Sequence, residues 1–425
     1  MTLAQKLVAR AAGRAHVTPG EVVTCKVDLA MFHDSSGPRR LKPMLEELGA
    51  TIWDASRVVL VMDHYVPERD DESRRIVRIA REWAREQQLP HVYDSQGICH
   101  VVVPQHGHIR PGLFCVGGDS HSPTGGAFGA YMFGIGSTEM LGVVVSGEIW
   151  LQVPRTLAMD WSGRLAPGVT AKDMMLHMTG RLGMNGGAYQ AVEFRGDAVA
   201  ALSMNERMTL SNMSAELGAQ VGLVAPDDVT RAWLVEAGVT ADSLHDLSQW
   251  RTDDGAALER HAFDAASLAP QVAAPHSPAN TADVSRHAGT AIDIAYLGAC
   301  TGAKLDDLRA AASVLRGRRT APGVRLIVAP ASQKDQARAE REGLMQVLRD
   351  AGAQVAATAC GACAGYGDSF ASARNVISST ARNFRGRMGA ASTDVYLASP
   401  FTVAASAVAG RICDPREMLP AGAPA

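Results

Sequence analysis

Three cysteines in the last third of the chain carry the strongest chemical signal: Cys300 in GACTGAK, then Cys360 and Cys363 in TACGACAGYG. An iron–sulfur cube has four metal corners, so a site offering three thiolates leaves one iron without a protein ligand. Electron carriers usually close every corner with cysteine, whereas catalytic metal sites keep one position open for water or substrate. The count points to chemistry on a bound substrate. Two other readings stand beside it. A lone C-x-x-C serves as a thioredoxin-like redox pair or as half of a zinc site. The redox pair needs no third cysteine, and zinc needs a fourth ligand that no second C-x-x-C or H-x-x-x-H nearby supplies. Cys25, Cys99, Cys115 and Cys413 lie among apolar neighbours and read as small buried hydrophobes.

A second group consists of histidines at the ends of strand-like runs: VVLVMDH with Asp63 and His64, SQGICH with His100, and FCVGGDSH with Asp119 and His121. An imidazole beside a carboxylate has its tautomer fixed and its proton affinity raised, which suits acid or base work near neutral pH. One such histidine is ordinarily structural; three at the same place relative to a strand read as a proton-transfer apparatus. The glycine-rich stretch that follows, Ser122–Gly136, lacks the G-x-G-x-x-G spacing of a dinucleotide fingerprint. So many glycines imply tight turns, or close packing of backbone against a cofactor or ligand. SSTARNFRGRMG then sets Arg382, Arg385 and Arg387 soon after the cysteines, and guanidinium forks bind carboxylates through paired hydrogen bonds.

These groups must be positioned by regular elements. Apolar, β-branched runs alternate with amphipathic stretches, as in VVLVMDH, RDDESRRIVRIAREWAREQQ, VYDSQGICHVVVPQ and FCVGGDS, the order expected of an α/β fold with parallel sheet. Functional groups in such folds gather where strands end. Arg69–Gln88 carries mixed charge at helical spacing and reads as a solvated outer helix. Three lobes are expected: 1–155 with the histidine motifs, 156–285 with NMSAELGA and a Pro-, Ala- and Ser-rich linker, Ser267–Gly289, and 286–425 with the cysteines and arginines. The 47% hydrophobic and 20% charged content is that of an ordinary globular protein. A net charge of −3 without a basic stretch offers no footprint for nucleic acid. No apolar run reaches the ~18 residues of a membrane span. Seven cysteines, an odd number without a secretory signal, argue for a reducing compartment, the cytoplasm.

In order along the chain, TLAQKLVARAAG, VMDH, SQGICH, GGDSHSPTGGAFG, FGIGSTE, TLSNMSAELGA, LGACTGAKLDDLRAAA, ACGACAG, STARNFRGRMG and YLASPFTVAASAVAG resemble the aconitase superfamily nearly end to end, most closely its isopropylmalate dehydratase large subunits. The resemblance implies three α/β/α lobes around a cluster-binding cleft, with the swivel domain absent. It implies that Cys300, Cys360 and Cys363 hold one [4Fe–4S] cluster whose open iron binds the substrate hydroxyl and a neighbouring carboxylate. Asp63 with His64 resemble the pair that protonates the departing hydroxyl. His100 with Asp119, and His121 with Glu216, resemble the pairs that position metal-bound water. Asn212 falls beside the cluster, Arg382 and Arg387 match the carboxylate-binding arginines, and His33, Asp34 and Ser120 fall where the family places residues lining the site.

In that family the base that removes the carbon-bound proton is a serine of a swivelling domain, beside an arginine. Nothing in this sequence resembles that domain, so a small-subunit partner carrying it is expected. The implied activity is a hydro-lyase or isomerase of hydroxylated di- or tricarboxylates, by default the interconversion of 3- and 2-isopropylmalate in leucine biosynthesis. Homoaconitate, citramalate, dimethylmalate and maleate are neighbouring substrates, and a non-catalytic cluster sensor is the reading from another class. Three positions depart from the pattern: Gly302 where asparagine is usual, Ala362 where proline is common, and Ala381 where asparagine often precedes the arginine. Each alters the polar or steric surroundings of the site while leaving the thiolates in place.

Overall fold

A computed structural model describes residues 1–244, 246–366, 370 and 373–419. Three open sheets, each mostly parallel, organise the chain, and a short antiparallel ribbon pairs Val22–Lys26 with Glu148–Gln152. The first sheet runs His91–Asp94, Val58–Met62, Leu29–His33, Phe114–Gly117, Tyr131–Gly134, all parallel. Its central strands Leu29–His33 and Val58–Met62 are buried along their whole length, which is why they read as continuous apolar runs rather than alternating ones. The middle sheet is parallel too: Val221–Val224, Ala191–Arg195, Thr156–Ser162, Glu259–Asp264.

The third sheet has seven strands. Five are parallel, in the order Asp394–Ala398, Asn375–Ser378, Ile294–Leu297, Arg325–Val328, Gln354–Val355. At its other edge Gln271–Ala273 and Thr281–Asp283 pair antiparallel. Those two strands come from the stretch whose composition suggested a linker of the middle lobe. Strands of three residues are too short to show a period; Gln271–Ala273 is created by pairing with Asp394–Ala398, more than a hundred residues away, and Thr281–Asp283 by pairing with Gln271–Ala273.

Chain order places a switch point in each of the three sheets, and those of the first and third carry the residues of interest. In the first, the chain leaves Leu29–His33 for strands on one side and returns on the other at Phe114–Gly117. In the third, it does the same between Ile294–Leu297 and Asn375–Ser378. The crevice at such a point, beyond the carboxyl ends of the strands, is where α/β sheets bind ligands. His33 ends one strand of the first pair and Asp119 follows the other, and Cys300 and Arg382 follow the second pair. The two crevices are tied together directly: Ile98 N donates to Ala331 O at 2.9 Å, and Cys360 N to Asp63 O at 2.8 Å.

Helix ends agree with their sequences. Asp70 caps Asp71–Glu86 by accepting from Ser73 N, and Ile76, Val77, Ala80, Trp83 and Ala84 form its buried stripe. The glycine-rich stretch packs tightly against the rest of the chain. Ser122–Phe128 is a wholly buried 3-10 helix, and a Cβ on Gly126 would lie 1.8 Å from the carbonyl oxygen of Gly222. Gly126 and Gly134 admit neighbouring backbone of this protein, and Gly125 and Gly129 the side chains of Met132 and Pro226. Among the described residues no helix is long and apolar enough to cross a membrane.

Candidate active site

The strand end after Met62 places Asp63 and His64, and that after Gly117 places Asp119, Ser120 and His121. Asp63 Oδ1 bonds His64 Nδ1 at 2.7 Å, while Asp63 Oδ2 accepts from the backbone N–H of Cys99 at 2.7 Å. Asp119 Oδ1 bonds His100 Nε2 and also accepts from His121 N, both at 2.7 Å. His121 Nε2 in turn meets Glu216 Oε1 at 2.9 Å, and Arg382 Nε donates to the same oxygen at 2.7 Å. Arg382 Nη1 reaches Ser120 Oγ at 3.0 Å. Residues far apart in the chain thus form one network of histidines, carboxylates and an arginine.

His33 stacks on His64 with centroids 3.9 Å apart. Asp34 is fully buried, its carboxylate accepting from the backbone N–H groups of Ser35, His64 and Tyr65. It shapes the turn that aims His64. Burial raises the Asp34 carboxyl above its ordinary value.

Charge separates the two stacked rings. Burial lowers His33 to about 4, with the neighbouring His64 adding to the effect, so His33 is neutral. Burial opposes protonation of His64 as well, but Asp63, Asp119 and Asp34 outweigh it and lift His64 to about 9. Burial would raise Asp119, yet His100 and His121 hold it well below the usual carboxylate range. Glu216 is lowered despite its burial, by His121 and Arg382. The site therefore holds a cationic imidazole among ionised carboxylates, the arrangement of a proton donor.

The cysteines lie against this network. Cys300 and Cys363 are buried, and Cys360 is partly so. A hydrogen bond from the Cys360 thiol pulls Cys363 down to about 5 against its burial, helped by Arg387, His121 and Arg382. Burial pushes Cys300 up to about 12, and the negative charge of Cys363 adds to the push. The three sulfurs are near enough to shift one another's acidity. Asn212 Nδ2 donates to Cys300 Sγ at 3.1 Å and to Thr124 Oγ1 at 2.8 Å.

The donor set fits an iron–sulfur group. Three thiols converge, an amide already points at one of them, and Asn212 Oδ1, Glu216 Oε2 and Arg387 Nε are buried without hydrogen-bond partners. Buried polar atoms are normally paired, so these three mark space prepared for something polar.

All fifteen site residues expected from sequence fall in this region. Arg385 does not join them: it is exposed and donates to Ala391 O. Sequence reading missed two fully buried lysines, Lys172 and Lys304. Lys304 Nζ donates to Cys300 O, Thr209 Oγ1 and Asp307 Oδ2. Nothing in their local sequence separates them from surface lysines, since each sits in or beside the first turn of a helix. The Gly302 departure also gains a reason: a Cβ there would lie 2.2 Å from Ser379 Cβ and Oγ, so this packing leaves no room for a side chain.

The model of the aconitase family (aconitate hydratase) matches residues 5–410. The 3-isopropylmalate dehydratase large subunit 1 of Methanopyrus kandleri is 41% identical over 423 residues, covering 98% of this chain and 99% of that protein. The 3-isopropylmalate dehydratase large subunit of Syntrophus aciditrophicus is 37% identical with 98% and 99% coverage. The probable methanogen homoaconitase large subunit of Methanothermobacter thermautotrophicus is 40% identical with 98% coverage of each chain. Among solved structures, Thermococcus kodakaraensis aconitase X in its holo-form superposes with a TM-score of 0.48 at 13% identity, covering 87% of this chain and 88% of that one. Hydratases of the matched family use an iron–sulfur cluster. The chain belongs to the aconitase family and is a hydro-lyase.

Proposed function

We propose that this chain is the large subunit of a two-subunit enzyme that interconverts 3-isopropylmalate and 2-isopropylmalate by removing water and adding it back. The observation that carries the reading is the meeting of three thiols with the Asp63–His64 pair and Arg382. Cys300, Cys360 and Cys363 hold one [4Fe–4S] cluster with one iron free of protein ligands. When bound, such a cluster supplies Lewis acidity toward the hydroxyl and a carboxylate of the substrate.

This chain's residues do the rest of its share. His64, kept cationic by Asp63, gives its proton to the departing hydroxyl. Arg382 and the unpartnered Arg387 receive substrate carboxylates through their guanidinium forks. His100 with Asp119, and His121 with Glu216, hold the water that leaves and returns. Asn212 steadies Cys300. The serine base and a further arginine come from the small subunit, whose existence follows from the large-subunit names of the relatives. Residues 1–155, 156–285 and 286–425 act as three lobes around one cleft, with Gln271–Ala273 and Thr281–Asp283 of the middle stretch lent to the third sheet.

A second reading, hydration of homoaconitate, is favoured by the similarity to the homoaconitase large subunit. The test is co-expression with the small subunit, followed by a panel of hydroxy-diacids and their unsaturated counterparts. Turnover of 3-isopropylmalate above all others supports the first reading, and preference for the homoaconitate series the second. No hydration of any panel member by a cluster-loaded complex refutes both.

A further inference from the structure

Lys172 is the second residue of the helix Ala171–Leu182 and is 1% exposed. Its Nζ donates to the carbonyl oxygens of Ser379 at 2.7 Å and Thr380 at 2.5 Å, and to Thr301 Oγ1 at 3.3 Å. Thr301 Oγ1 itself donates to Ser379 O at 3.0 Å. Thr301 follows Cys300 directly, and Ser379–Thr380 lead into Arg382. One ammonium from the middle sheet's helix therefore joins both loops at the third sheet's switch point.

None of these partners is anionic. Lys304, the other buried lysine, pairs with Asp307 at 2.9 Å. A buried charge is costly unless something offsets it. Burial lowers Lys172 to about 8, and the negative charges that sustain it are Glu216, Asp307 and Cys363. Glu216 already serves His121 and Arg382, and Asp307 serves Lys304. Its ammonium is held instead by carbonyl and hydroxyl oxygens of the two loops it joins.

We propose that Lys172 is a positioning residue that fastens the Cys300 turn to the loop bearing Arg382 and sets a positive charge beside the cysteine-bearing loops. This rests on the reading of Cys300, Cys360 and Cys363 as cluster ligands. It deepens that reading by adding a residue from the middle sheet's helix to the surroundings that hold the ligands. Partners of this kind, one step removed from the metal, are typically worth about 10–100-fold in affinity.

The full-length chain and Lys172→Met, similar in length but without the ammonium, are reconstituted anaerobically with ferrous iron and sulfide. Iron release to a chelator is followed by absorption, and the bound cluster is titrated electrochemically. Lys172→Met is expected to release iron about 10-fold faster and to be reduced at a lower potential, because a nearby positive charge that favours the added electron is gone. Release and potential matching the parent would overturn the inference. A lysine that only supports the fold would lower the melting temperature and leave the potential of the retained cluster unmoved. If Lys172→Met does not fold, Thr301→Val keeps the ammonium and removes one bridge; faster iron release supports the inference and an unchanged rate overturns it. A parent chain that takes up no iron and sulfide, or a Cys300→Ser variant that loads as the parent does, refutes the cluster reading and this inference with it. A loaded parent matched in both readouts by Lys172→Met refutes this inference alone.

Discussion

His33 and His64 lie face to face yet hold protons very differently, because His64 has three carboxylates around it while His33 is dominated by burial. Dehydration should hold steady across neutral pH and fall as pH rises through about 9, where His64 loses the proton it donates. The stability linkage has the same sign. A folded-state value raised above the unfolded ~6.5 gives stabilisation that is complete below that pH and lost as pH climbs through about 9. A pH profile of kcat/KM beside a pH series of melting temperatures checks both. His64→Ala should cost roughly 10²–10⁴ in turnover and keep the visible absorption of the cluster. Cys360→Ser should lose absorption and activity together. Cys99→Ala should keep the absorption if Cys300, Cys360 and Cys363 are the ligands, although Cys99 packs in the same buried cluster as Cys300; loss of colour there would reassign a ligand.

At the scale of elements, two switch points facing each other explain why groups from such different parts of the chain meet. Parallel strands all end on one side of a sheet, so the first residues after them share one rim. Glycine then decides how closely the elements pack. Gly126→Ala would press a methyl into the backbone of Val221–Val224, and overpacking of this kind costs about 1–3 kcal/mol. A clear drop in melting temperature is expected, measured by thermal denaturation. Gly302→Asn, although asparagine is usual there in the family, should also destabilise this chain and lower its iron content, because Ser379 occupies the space. Asparagine tolerated without loss of melting temperature would show that Ser379 can move aside.

At the scale of the whole molecule, the proposed division of labour leaves the serine base to the small subunit. Serines of this chain beside the network are held by it, Ser120 Oγ by Arg382 Nη1 at 3.0 Å and Ser36 Oγ by His33 Nε2 at 3.1 Å. The purified chain alone should load iron and sulfide and turn over little or no substrate, with activity appearing on addition of the small subunit. Full activity of the chain by itself, assayed with 3-isopropylmalate, would contradict the division of labour. Backbone hydrogen bonds between the first and third sheets beside the site, Ile98 to Ala331 and Cys360 to Asp63, hold this half of the cleft together without the partner.

The α/β class was legible in the sequence because buried parallel strands are apolar throughout and their helices are amphipathic, both local properties. So were the chemical types: Cys360 and Cys363 are three residues apart, Asp63 and His64 are adjacent, and Arg382 and Arg387 share one loop. The pairings were not. Asp119 serves both His100 and His121, Glu216 serves His121 and Arg382 across 95 and 166 residues of chain, and Asp34 is spent on backbone amides. Gly126 and Gly302 yield to neighbouring protein, and Lys172 is indistinguishable from a surface lysine until its helix is docked. Local pattern encodes which groups a strand end or helix turn presents. Only the packing of one sheet against another fixes which of them meet, because those contacts join segments that share no period and no proximity in the chain.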